Sequence, residues 1–328
     1  MRIGVNPEKY KGLKNIRYWH RIVIPVYIPN VEEEYYSNML EVFEFCLQSL
    51  IDSINQDTTV ITIINNNSAG EVAEVVEKYI KKKQIDKYVL YDQNKGKVYA
   101  VIDEVRGVYE PFVTITDCDV LFFSGWEQAV FDVFKNYKKA GAVTPLPLQY
   151  SAFHANSSVF FDHYFFGKMK YGKVVNDKDV DLYIQGLNNT ALINKGGKYN
   201  WKEKQYYLDG KIKAIVGAAH FVATYRSSIF KNETAFPEIK FINGYETAFI
   251  DNLADKKGLY RLSTLKTFAY HIGNKMDSFT ENYVYDSVQL LNPSTFGEIN
   301  NLNKFRIILV PYFIKKLVFK VLKKIKHL

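Results

Sequence analysis

Over its first 120 residues the chain alternates short β-branched apolar runs with stretches whose apolar positions recur every three or four residues. That alternation limits the fold more than any other feature of the sequence. The run Arg21-Ile-Val-Ile-Pro-Val-Tyr-Ile-Pro-Asn30 reads as a buried strand closed by proline. Met39, Val42, Phe43, Cys46, Leu47, Leu50 and Ile54 then share one face of a helix predicted over 34–54. A second buried strand, 58–64, breaks at Asn65-Asn66-Asn67-Ser68, residue types suited to a turn and a helix cap. Helix over 71–83, strand over 88–91, helix over 97–109 and strand over 112–116 follow. Strands alternating with helices imply an α/β fold: a mixed, mostly parallel, doubly wound sheet with helices on both faces and ligands at the strand ends.

The segment 144–215 is less regular, with turn signals at Gly172, Asn188-Asn189 and Gly196-Gly197. Beyond it a strand region is predicted over 212–225, a helix over 245–255, and a strand or loop over 265–271. No internal repeat is present. Two cysteines, Cys46 and Cys118, form no CxxC pair, which argues against a zinc site or a disulfide framework. No secretory signal pattern opens the chain and no run of about 18 apolar residues occurs, so a cytoplasmic protein is expected. Asn-x-Ser/Thr triplets such as those at Asn156 and Asn232 then carry no glycosylation meaning.

The net charge of +8 lies entirely in residues 304–328, which hold Lys304, Arg306, Lys315, Lys316, Lys320, Lys323, Lys324 and Lys326 and no acidic residue. The rest of the chain is neutral, which argues against a nucleic-acid-binding body. Within this tail Ile314, Leu317, Val318, Val321, Leu322, Ile325 and Leu328 recur at helical spacing, with the lysines mainly opposite. A basic amphipathic helix of this kind is suited to an anionic membrane surface, with Lys315, Lys316, Lys320, Lys323 and Lys324 over the headgroups.

Thr116-Asp117-Cys118-Asp119 is the strongest chemical signal. Two carboxylates at i and i+2 beyond the strand 112–116 can point the same way, with Cys118 turned aside. Such a pair suits a divalent cation, magnesium or manganese, that neutralises a diphosphate leaving group.

With this context the chain resembles the family 2 and related glycosyltransferases of the GT-A fold, over roughly residues 20–275. Ile22-Val-Ile-Pro-Val-Tyr27 is similar to the family's first strand, Asn65-Asn66-Asn67-Ser68 occupies the place of its Asp-Asp-Gly-Ser, and Asn94-Lys-Gly-Lys97 resembles its Asn-x-Gly segment. The resemblance implies a nucleotide-sugar donor, UDP above all, held by Pro25, Val26, Tyr27, Asn66, Asn94, Lys97, Asp117 and Cys118. It implies Mn2+ or Mg2+ held by Asp117, Asp119 and His271, the last from Tyr270-His-Ile-Gly-Asn274. Gly217-Ala-Ala-His-Phe-Val-Ala-Thr-Tyr-Arg226 resembles the strand closing the acceptor site. Asn243-Gly-Tyr-Glu-Thr-Ala-Phe-Ile-Asp251 stands where the family has a carboxylate pair, though Glu246 is followed by Thr247. His220, Tyr245 and Glu246 would meet the acceptor, a glycan or lipid-linked hydroxyl compound. Glu246 would be the catalytic base with Asp251 in reserve, and the outcome would be inversion.

A retaining enzyme on the same fold is an alternative. A sugar nucleotidyltransferase would carry a Gly-rich basic loop where this chain has Tyr27-Ile-Pro-Asn30, and a non-catalytic carbohydrate-binding protein would not need Asp117, Asp119, Glu246 and His271 together. The expected organisation is an N-terminal arm over 1–20, one domain over 21–300 divided into a nucleotide-sugar half (21–143) and an acceptor half (144–300), and the tail helix over 301–328. Peripheral attachment to the inner face of the cell membrane is expected.

Overall fold

The structure, a computed structural model, describes residues 3–6, 18–165, 167–187, 199–231, 233, 235–242, 244–284, 289–301 and 310–325. Most of the expected N-terminal arm, the turn signals at Asn188-Asn189 and Gly196-Gly197, the triplet at Asn232, and Asn243, Lys304, Arg306, Lys326 and Leu328 lie outside the described residues. The elements are β1 (His20–Val26), α1 (Met39–Ser53), β2 (Thr59–Asn65), α2 (Gly70–Lys81), β3 (Lys87–Leu90), α3 (Lys97–Val105), β4 (Phe112–Thr116), β5 (Val120–Phe122), α4 (Trp126–Asn136) and β6 (Ala140–Thr144). They continue with α5 (Ser157–His163), β7 (Met169–Gly172), α6 (Asp177–Leu187), β8 (Gln205–Asp209), β9 (Lys213–Val216), β10 (Val222–Arg226), a π turn (Thr247–Asp251) running into α7 (Asn252–Lys256), β11 (Tyr260–Ser263), β12 (Ala269–His271), α8 (Ser278–Glu281), α9 (Ser294–Asn301) and α10 (Tyr312–Ile325).

Ten of these strands form one mixed sheet in the order β3-β2-β1-β4-β10-β6-β11-β9-β8-β7, and β5 pairs with β12 in a small second sheet. Parallel pairing fills the first four strands. Beyond β4 the sheet is largely antiparallel, with β6–β11 as a parallel pair inside it. Side chains alternate across the strands with period two. Ile22, Ile24 and Val26 enter one core layer with α1, α2 and α4, while Val23, Val113 and Ile115 enter the other with α3 and α7. Both faces of the first strands are therefore covered, which is why β2 is buried at every residue.

The region expected as a strand over 212–225 is two strands. Gly217 separates them at φ +140°, and a Cβ there would lie 2.2 Å from the Leu148 carbonyl oxygen. The chain can pass this point only as glycine, and the break aims His220 and Phe221 out of the sheet instead of into its ladder.

The tail helix differs from expectation. α10 packs on α5, burying Phe319 and Leu322. Lys315 and Lys323, expected over a membrane, face the protein instead. Lys315 is buried beside Asp162 at 3.4 Å, and Lys323 donates to the Phe153 carbonyl at 3.3 Å and lies over the Phe153 ring. Their long apolar stems tolerate this because each ammonium finds an oxygen. Lys316, Lys320 and Lys324 remain exposed, alongside Phe313, Ile314, Leu317 and Val321. Among the described residues no helix is long and apolar enough to cross a membrane.

Candidate active site: two adjoining clefts

The order β3-β2-β1-β4 reverses direction between β1 and β4, the place where an α/β sheet opens a crevice at its strand ends. A cleft of about 270 Å³ lies there, lined by Pro25, Val26, Tyr27, Asn66, Asn94, Gly96, Lys97, Asp117, Cys118, Asp119 and Phe241. All eight residues assigned to the nucleotide from sequence line this one cleft. Gly96 and Phe241 join them, unanticipated.

The cleft floor is stitched by one buried amide. Asn66 Nδ2 donates to Asn94 Oδ1 at 2.9 Å, and Asn66 Oδ1 accepts from the Lys95 N–H at 2.8 Å. Asn94 Oδ1 also accepts from the Gly96 N–H at 2.8 Å. An amide both donates and accepts, so Asn66 can bind the 94–96 turn with both ends, which an Asp could not. Gly96 sits at φ +76°, with a would-be Cβ only 3.0 Å from the Lys240 carbonyl oxygen, so the turn is closed against the 236–242 loop. It delivers Lys97, at the start of α3, into an ion pair with Asp117 Oδ1. Burial opposes the Lys97 charge, but Asp117, with Glu246 and Asp119 beyond it, raises its pKa on balance. Glu246 is half-buried and faces this cluster electrostatically, but lines neither cleft.

Asp119 and His271 meet across the pairing of β5 with β12. His271 Nδ1 donates to the Gly186 carbonyl at 3.1 Å, which leaves Nε2 of the neutral ring as a lone pair. That nitrogen lies 3.4 Å from Asp119 Oδ2, while Asp119 Oδ1 is buried with no hydrogen-bond partner among the described residues. Burial pushes the Asp119 carboxyl up to about 6, with His271 pulling it down and Asp117 pushing it up. A carboxylate with one oxygen unpartnered and an imidazole lone pair braced from behind by the Gly186 carbonyl, turned on one another, form a donor set that fits a divalent cation. Asp117, expected as a third ligand, is paired with Lys97 instead, and no group of three or more His, Cys, Asp or Glu among the described residues stands ready to hold a metal.

A second cleft, of about 500 Å³, adjoins the first. Phe221 joins them: its carbonyl accepts from the Asp117 N–H at 2.7 Å, its ring meets that of His271, and it lines the second cleft. Tyr150, Phe153, Tyr183 and Tyr199 supply aromatic walls, and Ser151, His154, His220, Thr247 and Asp251 supply polar atoms. The π turn sets Thr247 and Asp251 together on this wall, a device that recurs at functional sites. Asp251 is 1% exposed and takes Arg261 on Oδ1 at 2.8 Å, with His154 and His220 on Oδ2 at 3.1 and 3.3 Å. Burial alone would raise its pKa. Arg261 and the two histidines outweigh that and hold it far below the usual carboxylate range.

Of the acceptor residues expected from sequence, His220 reaches the second cleft. Tyr245 does not line it: its ring packs on Phe249 and its hydroxyl accepts from the Glu238 N–H at 3.1 Å. Sequence reasoning missed His154, Arg261 and the aromatic walls. His154 stands alone in the irregular middle of the chain, and Arg261 reads as an ordinary strand residue.

Residues 22–180, just under half of the chain, match the family model described as glycosyl transferase family 2. No curated protein sequence matches the chain. Among solved structures, a mannosyltransferase from Pyrobaculum calidifontis in complex with GDP-Man and Mn2+ is 18% identical over 40% of this chain and 36% of that one, with TM-score 0.33. Residues 1–349 of S. aureus TarS in complex with UDP are 14% identical over 87% of this chain and 64% of that one, TM-score 0.43. The same protein with UDP-GlcNAc is 13% identical over 87% and 65%, TM-score 0.43. The chain thus spans less than two thirds of the length of each.

Proposed function

We propose that this chain, a glycosyltransferase of the GT-A type, moves a sugar from a UDP-sugar to a hydroxyl of a glycan or lipid-linked acceptor, with inversion and with a divalent cation. The single observation that carries this reading is the first cleft: eight residues chosen for nucleotide contact, spread over 94 positions of sequence, line one crevice at the strand ends. In this reading Pro25, Val26 and Tyr27 border the nucleoside, and Asn66 holds the 94–96 turn against it. Lys97 is placed to meet diphosphate oxygens by exchanging its partner Asp117 for them. Asp119 and His271 would hold Mn2+ or Mg2+, with Asp117 free to join once Lys97 turns to the phosphates. The cation would neutralise the charge that grows on the departing diphosphate.

Glu246 takes the acceptor proton. It is half-buried, lies near the charged cluster and, among the described residues, has no ion pair of the kind that Asp251 has. Asp251 is held so firmly as an anion that it is a weak base, and its part is to anchor its neighbours. A hydroxyl deprotonated beside the second cleft attacks the anomeric carbon on the side away from the diphosphate, which inverts the centre.

The tail helix supports attachment to the cytoplasmic face of a membrane. Phe313, Leu317 and Val321 recur every four residues on the exposed side of α10, with Lys316, Lys320 and Lys324 in the next row. This outward face is narrower than the whole stripe expected from sequence, but keeps three lysines and no acidic residue. Its buried side rests on Phe153, a wall of the second cleft, so a lipid surface docked on α10 would lie behind the acceptor's entrance.

Incubating the full chain with a mixture of nucleotide sugars, with manganese or with chelator, tests the reading through released nucleoside diphosphate. Release that requires the cation and favours a UDP-sugar is expected. Release of pyrophosphate instead, or no nucleotide binding at all, overturns it.

A further inference from the structure

The second cleft is chemically more specific than an aromatic hollow. His154 Nε2 and His220 Nδ1 both contact the same carboxylate oxygen, Asp251 Oδ2. A carboxylate can only accept, so each histidine spends its N–H on Asp251. In the neutral rings this settles both tautomers: His154 is left with a lone pair on Nδ1 and His220 with one on Nε2. The rings line the cleft and their side chains are 42% and 46% exposed. The cleft therefore presents two fixed hydrogen-bond acceptors and asks for hydroxyl donors.

Charge narrows the ligand further. Asp251 is balanced by Arg261, which is fully buried behind it. Among the described residues, no Lys or Arg lines the cleft. Among these described residues an anionic group would find no standing cation, in contrast to the first cleft with Lys97. Tyr150, Phe153, Tyr183, Tyr199 and Phe221 offer ring faces and edges suited to the apolar C–H faces of a pyranose. A volume of about 500 Å³ is within the range of small-ligand sites.

We propose that the second cleft binds the acceptor as a neutral saccharide, whose hydroxyls donate to His154 and His220 while its ring lies on the aromatic walls. The inference rests on the glycosyltransferase reading for the word acceptor, but the binding claim stands on the cleft alone. His154 and His220 are positioning residues. They aim the acceptor hydroxyl, Glu246 takes its proton, and any lipid or phosphate portion of a longer acceptor stays outside, toward α10.

The test uses the full chain and saturation-transfer NMR with a panel of uncharged methyl glycosides, against cyclohexanol and glycerol phosphate as ligands lacking the hydroxyl array or the neutrality. Transfer to at least one glycoside, and to neither comparison compound, is expected. In the double variant His154→Ala/His220→Ala the glycoside affinity should fall at least about tenfold, with UDP binding unchanged. That unchanged binding reports an intact fold. His220→Gln, which keeps a hydrogen-bond acceptor, should recover part of the loss. With turnover as readout, the single histidine variants should raise the KM for acceptor more than they lower kcat. The proposal is overturned if no glycoside binds while UDP does, if glycerol phosphate binds better than every glycoside, or if the double variant binds as the parent does. A lost kcat with unchanged KM in His220→Ala also overturns it, since His220 would then be the base. Glycoside binding without any UDP binding supports the cleft and sinks the donor reading instead.

Discussion

The two clefts are linked through Phe221, which lines the second and is bonded to Asp117 of the first, and they are built by opposite strategies. The first takes most of its residues from the ends of β1, β2 and β4 and the start of α3, so those side chains project where a strand or helix terminus aims them. It is charged, and its strain is electrostatic: Lys97 is held by Asp117, and Asp119 keeps an oxygen without a partner. The second is gathered from a loop before α5, the break after β9, the π turn and α6, and Asp251, the one Asp, Glu, Lys or Arg among its described lining residues, is balanced from behind by Arg261. The first cleft is thus prepared for a ligand that brings charge, the second for one that brings hydroxyls and ring faces.

The largest effect should come at the boundary between them. Glu246→Gln is expected to lower transfer by roughly 10²–10⁴-fold while UDP affinity stays within about twofold of the parent. Normal turnover in Glu246→Gln together with loss in Asp251→Asn would reverse the division of roles. Product stereochemistry read by NMR checks inversion separately.

On the donor side Asp119→Ala should cost transfer about 10²-fold or more. Its melting temperature should hold or rise, because burial already disfavours this carboxylate and its Oδ1 has no partner to lose. Full activity of the variant, or of the parent in excess chelator, breaks the cation half of the comparison.

Asp251→Asn probes the acceptor side through stability. It leaves Arg261 buried without its counter-charge, which should cost about 3–5 kcal/mol in a urea titration. The pH dependence has a definite sign. The folded Asp251 pKa is depressed, so its contribution is present above the unfolded value of 3.8 and is lost as pH falls below it. The gap between parent and variant should therefore be widest near neutrality and shrink in acid. A gap that widens in acid would mean that Arg261 does not hold the charge of Asp251.

The smallest effect concerns α10. Leu317→Ser should weaken binding to anionic vesicles roughly tenfold, and Lys320→Ala should weaken it several-fold with a shallower salt dependence. Lys315→Ala should act on stability and not on vesicle binding, because Lys315 is buried beside Asp162. Indifference of the parent to anionic vesicles ends the membrane reading and leaves α10 as a structural brace.

How much of this was legible depended on how each residue is held. The first cleft could be read because strand ends and helix starts announce themselves: an apolar run stops, a turn residue follows, and a carboxylate two positions on must face the same way. Even there, what Asn66 grips and the pairing of Lys97 with Asp117 needed coordinates, since they depend on where the 94–96 turn closes against Lys240. In the tail the periodicity was legible and the side that the protein covers was not. An apolar stripe describes a helix with two sides, and only the packing of α10 on α5 determined that Phe319 and Leu322 are covered while Leu317 and Val321 are not.

By itself the sequence determined the α/β alternation, the first strands and the helices between them, the carboxylates beyond β4 and the separation of charge between body and tail. These follow from local rules, the periods of strands and helices and the reach of neighbouring residues. The tertiary structure alone decided that His154, His220, Asp251 and Arg261 form one assembly, because they lie up to 107 residues apart and no local pattern relates them. It also decided which lysines of α10 face protein, since a long flexible side chain takes its environment from whatever surface its helix lands on.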